Sequence, residues 1–481
     1  MPARTGSTVR DSRQRTLRLG RLIKSGGAGS VFLLDGMPDE VVKLYHPGSD
    51  FAVYERKLEA MLALCPDLPD RLEHGNRYVQ IAWPRALVHD ARGRFAGFAM
   101  PTLDIAATSD LEHVLQERQA RAAGLPTGLG AKMTLAANLA TLLAALHRRG
   151  HYVVDLKPLN VRFYRESLYI AMLDCDGFSV QGEGERFPAG QVTVDYLAPE
   201  FQQRGVRPGQ EAAQDRFALA VVLFQLLNSG IHPYSGRTRG EAAPTDLPGR
   251  IRAQMYAYGL RPHRDIAPAP VSGHAAMPEQ LRRMFDRAFS TRPQDRPDAA
   301  QWASALVGYA RREGGLLVAC QADAQHQHFV GLPCAACARA EALSKAGQAS
   351  ATRQRSAQRR ARRQNAGKRA AARQHAPAGT RAPAQQPLGQ RLAQTQAQTL
   401  ATAPTGLGMR LFMALLGPVL LGWLLGWGMP AYRAFDAASR SGGWWALWGD
   451  ALALAFQAGV LLLGLLVFVA LVPMVIMSRR P

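Results

Sequence analysis

Six consecutive residues, Asp155-Leu156-Lys157-Pro158-Leu159-Asn160, constrain this chain more than any other feature. They set a carboxylate, an ammonium and a side-chain amide on one short loop, where a base, a cation facing developing charge and a metal ligand could act together. A polar loop can hold such a run by chance. Its neighbours decide between chance and chemistry.

Upstream, Lys24-Ser25-Gly26-Gly27-Ala28-Gly29-Ser30-Val31 lies between apolar runs at 17–23 and 31–34, which reads as strand, glycine turn, strand. Glycine lets a backbone close over a polyphosphate where a side chain would clash. Val41-Val42-Lys43-Leu44 then sets one lysine in an apolar strand, and a buried ammonium needs anionic partners. The segment 51–64 has helical spacing through Val53, Leu58, Met61 and Leu62 and carries Glu55 and Glu59 one turn apart on one face. Either glutamate could pair with Lys43. Downstream, the apolar run 168–173 ends in Asp174-Cys175-Asp176-Gly177-Phe178. A carboxylate at the end of a buried strand is costly unless a metal or hydrogen bonds compensate it.

In this order the segments resemble the eukaryotic-type Ser/Thr protein kinase family. The family's glycine loop matches at Gly26, Gly29 and Val31, and its ATP-holding lysine at Lys43, with Glu55 or Glu59 to fix that lysine. Its catalytic loop matches at Asp155, Lys157 and Asn160, and its metal aspartate at Asp174, with Asp176 as a second site. Ala198-Pro199-Glu200 stands where the family closes its activation segment, and Arg296 is the expected buried partner of Glu200. Asp215 opens an apolar helix at 217–227 that resembles the family's central anchoring helix. The resemblance implies an α+β, two-lobed protein kinase fold over 17–312, after a disordered stretch at 1–16. It implies transfer of the ATP γ-phosphoryl group to Ser or Thr hydroxyls of protein substrates. Asp155 would take the hydroxyl proton, Lys157 would neutralise charge, and Asn160, Asp174 and Asp176 would hold Mg2+.

Three departures bear on mechanism. Lys24 stands at the first loop glycine, Val153-Val154 replace the family's His-Arg, and Asp174-Cys175-Asp176 replaces Asp-Phe-Gly. They carry a rival reading: a catalytically weak pseudokinase serving as a nucleotide-binding membrane scaffold. Val154 also lacks the guanidinium that meets a phosphorylated activation-loop residue in related kinases. Phosphorylation of Thr193 is therefore not expected to be the main switch, and Thr193→Ala is expected to keep most activity.

The chain has 5 cysteines in 481 residues, and Cys320, Cys334 and Cys337 fall in one short stretch with His326 and His328. Thiolates plus imidazole at this spacing suit tetrahedral Zn2+ in a small module at 316–340. His326 is the first choice for the fourth ligand and His328 its competitor; free thiols beside a solvated histidine cluster are the alternative. Cys65 and Cys175 have no spaced partners, and nothing suggests a disulfide framework.

From 341 to 407 the composition turns to Ala, Gln and Arg. About a dozen basic residues and no acidic one lie between Lys345 and Arg391, more than half of the net charge of +21. Self-repulsion predicts a disordered basic linker, and attraction to anionic lipid is its functional alternative. Nucleic acid is not expected as a partner, because the stretch lacks aromatic residues to stack on bases. Within 408–481, the uncharged segments 411–432 and 451–477 each reach the roughly 20 residues that span a bilayer. Arg410 precedes the first and Arg479-Arg480 follow the second, which predicts an α-helical transmembrane hairpin with both flanks cytoplasmic. The first twenty residues are polar and basic without an apolar core, so no signal peptide is expected. The expectation is a multi-pass protein of the bacterial inner membrane, with the kinase region and both termini in the cytoplasm. The whole order resembles a divergent bacterial branch of the family, which implies a cognate phosphatase and a von Willebrand A-type protein as partners.

Overall fold

The computed structural model describes residues 4–190, 192–239 and 243–374. The chain divides into two units, Met1–Ile23 with Ser30–Gln354, and Lys24–Gly29 with Arg355–Pro481. The segments expected to span the membrane, 411–432 and 451–477, lie outside the described residues.

The first half of the fold is a small barrel. Its strands are β1 (Thr8–Asp11), β2 (Thr16–Ser25), β3 (Gly29–Leu34), β4 (Met37–Tyr45), β7 (Ala86–His89) and β8 (Phe95–Pro101). They close in the order β1-β2-β3-β4-β8-β7. Between β4 and β7 come helix α1 (Phe51–Ala63) and a short hairpin of β5 (Arg71–Glu73) and β6 (Asn76–Tyr78). The period of two along β4 assigns each residue a side. Val42 and Leu44 enter the barrel core with Leu17, Leu19, Phe32, Val88 and Ala99. Val41 and Tyr45 face the other way, into the larger core shared with Leu58 and Met61 of α1. Lys43 has the parity of this second face. Gly97 lies opposite Leu44 in the antiparallel register, and a Cβ there would stand 2.0 Å from the Lys43 carbonyl oxygen. Glycine is what lets β8 close against the lysine.

β1 corrects the expectation that 1–16 is disordered. It pairs with β2 and β7, with Val9 opposite Leu17 and Asp11 opposite Val88. The strand is polar because its turn is held by a carboxylate: Asp11, 1% exposed, accepts from the N–H groups of Arg13 and Arg15 and from Arg15 Nε. Such a turn satisfies its backbone without an apolar run.

The second half is helical. After β9 (Thr108–Asp110) and α2 (Glu117–Ala122), α3 (Leu129–Arg148) runs through the interior against α4 (Glu211–Leu227) and α7 (Ala299–Ala310), with α5 (Leu247–Arg252) and α6 (Glu279–Ala288) before α7. Among the described residues α3 is the helix long and apolar enough to cross a membrane, and 67% of that stretch is buried within the protein. An all-round apolar helix is a core element in that setting. β10 (Arg162–Tyr164) and β11 (Ile170–Ala171) form a sheet with β9 in the order β11-β10-β9. The 152–161 loop is therefore strung between a buried helix and a sheet.

A last helix, α8 (Ala335–Gln374), overlaps the linker expected to be disordered over 341–407. Ala, Arg, Gln and Lys are strong helix formers, and the first proline after its start is Pro377. Local propensity outweighs charge repulsion up to Gln374.

His232, just after α4, ties the helical half to pH. It is 6% exposed, its Nε2 donates to the Asp195 carbonyl at 3.1 Å, and its Nδ1 accepts from the Tyr234 N–H at 3.3 Å. Burial lowers its pKa to about 3. The unfolded chain binds a proton near pH 6.5 while the native site stays neutral, so stability falls as pH drops below that value. Between pH 7.5 and 5.5, wild type should lose about 1.4 kcal/mol more than His232→Asn in urea unfolding. Equal losses would show that His232 is not held neutral.

Candidate functional site

The sequence-named loop residues meet. Asp155 Oδ1 accepts the Thr193 N–H at 2.8 Å, and its Oδ2 accepts from Lys157 Nζ and Asn160 Nδ2, each at 2.9 Å. Lys157 Nζ also donates to Thr193 Oγ1 at 2.6 Å. Each carboxylate oxygen has two lone pairs. Asp155 Oδ1 thus keeps one for a further donor, and the side chain is 23% exposed.

The loop is aimed from beneath. Asp215 of α4, with its side chain fully buried, accepts the N–H groups of Val153 at 2.8 Å and Val154 at 2.7 Å and a bond from His147 Nε2 at 3.0 Å. Val154 has φ 64°. A β-branched residue in the left-handed region costs about 1–3 kcal/mol and persists only where its surroundings hold it. The neighbouring Gln214 donates to the Val154 and Tyr196 carbonyls and accepts the Ala198 N–H at 2.9 Å. Arg296, 3% exposed, meets the Glu200 carboxylate at 2.5 and 2.8 Å as the sequence predicts.

Lys43 is buried and engages the second cluster. Its Nζ lies 2.7 and 2.8 Å from the two Asp176 oxygens and 3.5 Å from Asp174 Oδ1. Burial by itself would lower the lysine's pKa, but Asp176 and then Asp174 outweigh it and hold the group raised. Tyr45 donates its hydroxyl to Asp176 Oδ2 at 3.0 Å, and burial followed by the Asp176 charge keeps that phenol protonated. Asp176 is 5% exposed, whereas the Asp174 side chain is 69% exposed on a residue with φ 53°. The buried, charge-paired carboxylate is thus the one the sequence ranked second.

Neither Glu55 nor Glu59 pairs with Lys43, which corrects that expectation. Glu55 lies 3.7 Å from His89 Nε2, and Glu59 is exposed. The helical phase explains it: Lys57, Leu58 and Met61 turn inward, and residues two positions either side of Lys57 fall about 200° around the axis. Lys57 is the residue that sequence reasoning missed. Burial pulls it down to about 8, with Asp176 raising it and Lys43 lowering it. A lysine next to Leu58 and four residues before Met61, on the same inward face, was the available signal. The glycine turn Lys24–Gly29 belongs to the second unit and is closed by a Gly26 N–H to Gly29 carbonyl bond of 2.9 Å; Val31 is half-buried on β3. Asn160, Asp174 and Asp176 offer oxygen donors only, the set that suits Mg2+.

The Cys/His module is a hairpin followed by a helix start. Leu317–Ala319 pairs with Gln327–Phe329, and the Cys320 N–H donates to the His326 carbonyl at 3.0 Å, which brings these two residues together. Cys334 and Cys337 arrive at the start of α8, and the three sulfur atoms lie within 4.8 Å of one another. Cys320 and Cys337 are 3.6 Å apart, close to the roughly 3.8 Å that two thiolates subtend on tetrahedral zinc. His326 Nδ1 is 3.5 Å from Cys337 Sγ, whereas His328 Nδ1 donates to the Phe329 carbonyl. The donor set fits zinc, with His326 facing the cluster. N–H groups of Ala322 and Asp323 lower Cys320, while the Cys320 and Cys334 thiols push Cys337 up to about 12.

Deprotonating three adjacent thiols is what a divalent cation would accomplish, so metal uptake should release protons. Protein prepared without chelator is expected to carry about one equivalent of zinc, lost in a Cys334→Ser, Cys337→Ser double variant. Elemental analysis finding none would remove the assignment. His326→Ala should weaken retention and His328→Ala should not.

No family model matches the chain. It is 29% identical over 296 residues to Protein kinase YegI of Escherichia coli K12, covering 60% of this chain and 44% of that protein. It is 27% identical over 293 residues to Serine/threonine-protein kinase Pkn1 of Myxococcus xanthus, covering 58% of this chain and 36% of that protein. The chain thus spans less than half the length of these curated relatives. Similarity over three-fifths of the chain to proteins named as kinases supports a Ser/Thr kinase-like family, and the mixed helix-and-sheet architecture is consistent with it.

Proposed function

We propose that the chain is a membrane-anchored protein kinase that transfers the ATP γ-phosphoryl group to Ser or Thr hydroxyls of protein substrates. The observation that carries this reading is the hydrogen-bonded junction of Asp155, Lys157, Asn160 and Thr193. Bound Mg2+ supplies the positive charge that offsets the phosphates of ATP. Asp176 and Asn160 are assigned to hold it, with Asp174 as the exposed second carboxylate. Asp155 orients the hydroxyl and takes its proton on an oxygen that retains a lone pair. Lys157 stays bonded to that carboxylate and faces the charge that develops beside it. Lys43 binds phosphate oxygens while Asp176 keeps it charged. The segments 411–432 and 451–477 anchor the protein with the kinase region in the cytoplasm.

A second reading, a nucleotide-binding scaffold of low activity, is favoured by one observation: Lys57 turns inward from α1 and no glutamate among the described residues reaches Lys43. Autophosphorylation by the full chain separates the two. On the kinase reading, Asp155→Asn lowers it by roughly a hundredfold or more and spares nucleotide affinity. Lys43→Met and Asp176→Asn lower both, and Asp174→Asn does less than Asp176→Asn. Thr193→Ala removes the hydroxyl that accepts from Lys157, so the expectation that it keeps most activity gives way to a loss of about ten- to a hundredfold. Wild-type rates in Asp155→Asn would sink the catalytic assignment.

Topology is read separately. A reporter active only outside the cytoplasm is expected to work when fused after Gly443 and to be silent when fused after Pro481. The reverse pattern would place the kinase region away from ATP.

A further inference from the structure

A cavity of about 80 Å3 lies where α2, the start of α3, the end of α4 and the Cys/His module meet, and none of the phosphotransfer residues lines it. Lys132 does line it. That lysine is 7% exposed, yet its ammonium makes no hydrogen bond or ion pair with any described residue. A buried ammonium without an anion is a costly thing for a fold to keep. The one acid on the wall, Glu117, is taken by Arg121 at 2.6 Å. Burial pulls Lys132 down to about 8, with Glu117 opposing and Arg339 adding to the shift.

The same wall holds a second orphan. Asn228, at the end of α4 and 1% exposed, accepts on its Oδ1 from Ser272 Oγ at 3.0 Å and from the Gly273 N–H at 2.8 Å. Its Nδ2 is buried with no partner. Arg339 contributes a guanidinium from α8, anchored by one bond to the Val271 carbonyl at 3.1 Å. The N-terminus of the twenty-residue α3 opens here without a side-chain cap, although Gln327 Oε1 takes the Gly130 N–H at 2.8 Å. A helix start adds partial positive charge to an anion site. With Arg121 and Glu117 cancelling, Lys132 and Arg339 leave two positive charges beside one amide donor, Asn228 Nδ2, that lacks an acceptor.

We infer that this cavity binds a small tetrahedral oxyanion of the phosphate type, held by Lys132, Asn228 Nδ2 and Arg339 between the helical lobe and the Cys/His module. The volume admits several waters or one such anion and excludes a nucleoside. The oxyanion is either free inorganic phosphate or a phosphomonoester, which share this chemistry.

Amide hydrogen exchange on the full chain tests the site where it lies, independently of the nucleotide cleft. Inorganic phosphate and phosphoserine are each titrated against chloride at matched ionic strength. Exchange should slow in the first turns of α3 and α8, and saturably. Lys132→Met should weaken the protection at least about tenfold, the worth of one charge-assisted bond. Arg339→Gln, at a part-exposed position, should do the same and serves if Lys132→Met does not fold. Arg283→Gln, a cation that does not line this cavity, should change nothing. Protection by inorganic phosphate at the lower concentration, or by it alone, assigns the site to the free anion, and protection by phosphoserine at the lower concentration, or by it alone, assigns it to a phosphomonoester. No protection in wild type, equal protection by chloride, or undiminished protection in both cavity variants would overturn the inference.

Discussion

The rest of the site depends on one buried carboxylate. Asp215 sits in the interior of α4 and takes three donors, two of them consecutive backbone N–H groups of the loop that ends at Asp155. Burying a carboxylate is costly unless such donors replace water. In return the backbone at Val154 is fixed in a conformation it would leave if the grip were lost. Gln214, one residue earlier, binds the Val154 carbonyl and the Ala198 N–H, so adjacent side chains on one rigid helix position both the 152–161 loop and the segment before Glu200. Because helix α4 is buried along most of its length, this reference point is set by packing.

Charge pairing does the remaining work at two places, and by different means. Around Asp155 the one cation, Lys157, is part-exposed and the Asn160 amide is exposed, so their hydrogen bonds can be exchanged for bonds to a substrate at modest cost. Around Lys43 the pair with Asp176 is buried, and breaking it without a substitute would leave a charge stranded. An anionic ligand at Lys43 therefore has to arrive with a cation for Asp176. On the proposed reading, that coupling favours a metal–nucleotide pair over either component alone. Lys57 adds a second ammonium near the same carboxylate, so the cleft is more positive than one in which α1 supplied a glutamate.

Much of this was legible in the sequence, and the failures have identifiable causes. The loop residues Asp155, Lys157 and Asn160, the strand lysine Lys43 and the Glu200–Arg296 pair could be read because each stands in a short segment with an apolar frame around it. The helix at 51–64 was also legible, but the choice of Glu55 or Glu59 followed an expectation about pairing and ignored the phase that buries Lys57. Choosing between Asp174 and Asp176 required knowing that the chain turns left-handed at Asp174, which no spacing rule supplies. β1 was hidden because its turn is satisfied by Asp11 instead of an apolar stripe. The sequence presents Thr193 only as a hydroxyl open to phosphorylation, because its hydrogen bond to Lys157 spans 36 residues and no local pattern signals it.

The Cys/His module illustrates how a small element gains a place in a larger fold. A three-residue hairpin and one helix start bury too little to stand alone, so its order must come from elsewhere. Three attachments supply it: the Tyr309–Phe329 ring contact, the Gln327 bond to α3 and the Arg339 bond to the Val271 carbonyl. Two of these attachments come from residues on the wall of the Lys132 cavity, and the hairpin that carries Gln327 also presents His326 to the cysteine cluster. The arrangement of the thiols is therefore mechanically tied to the first turn of α3.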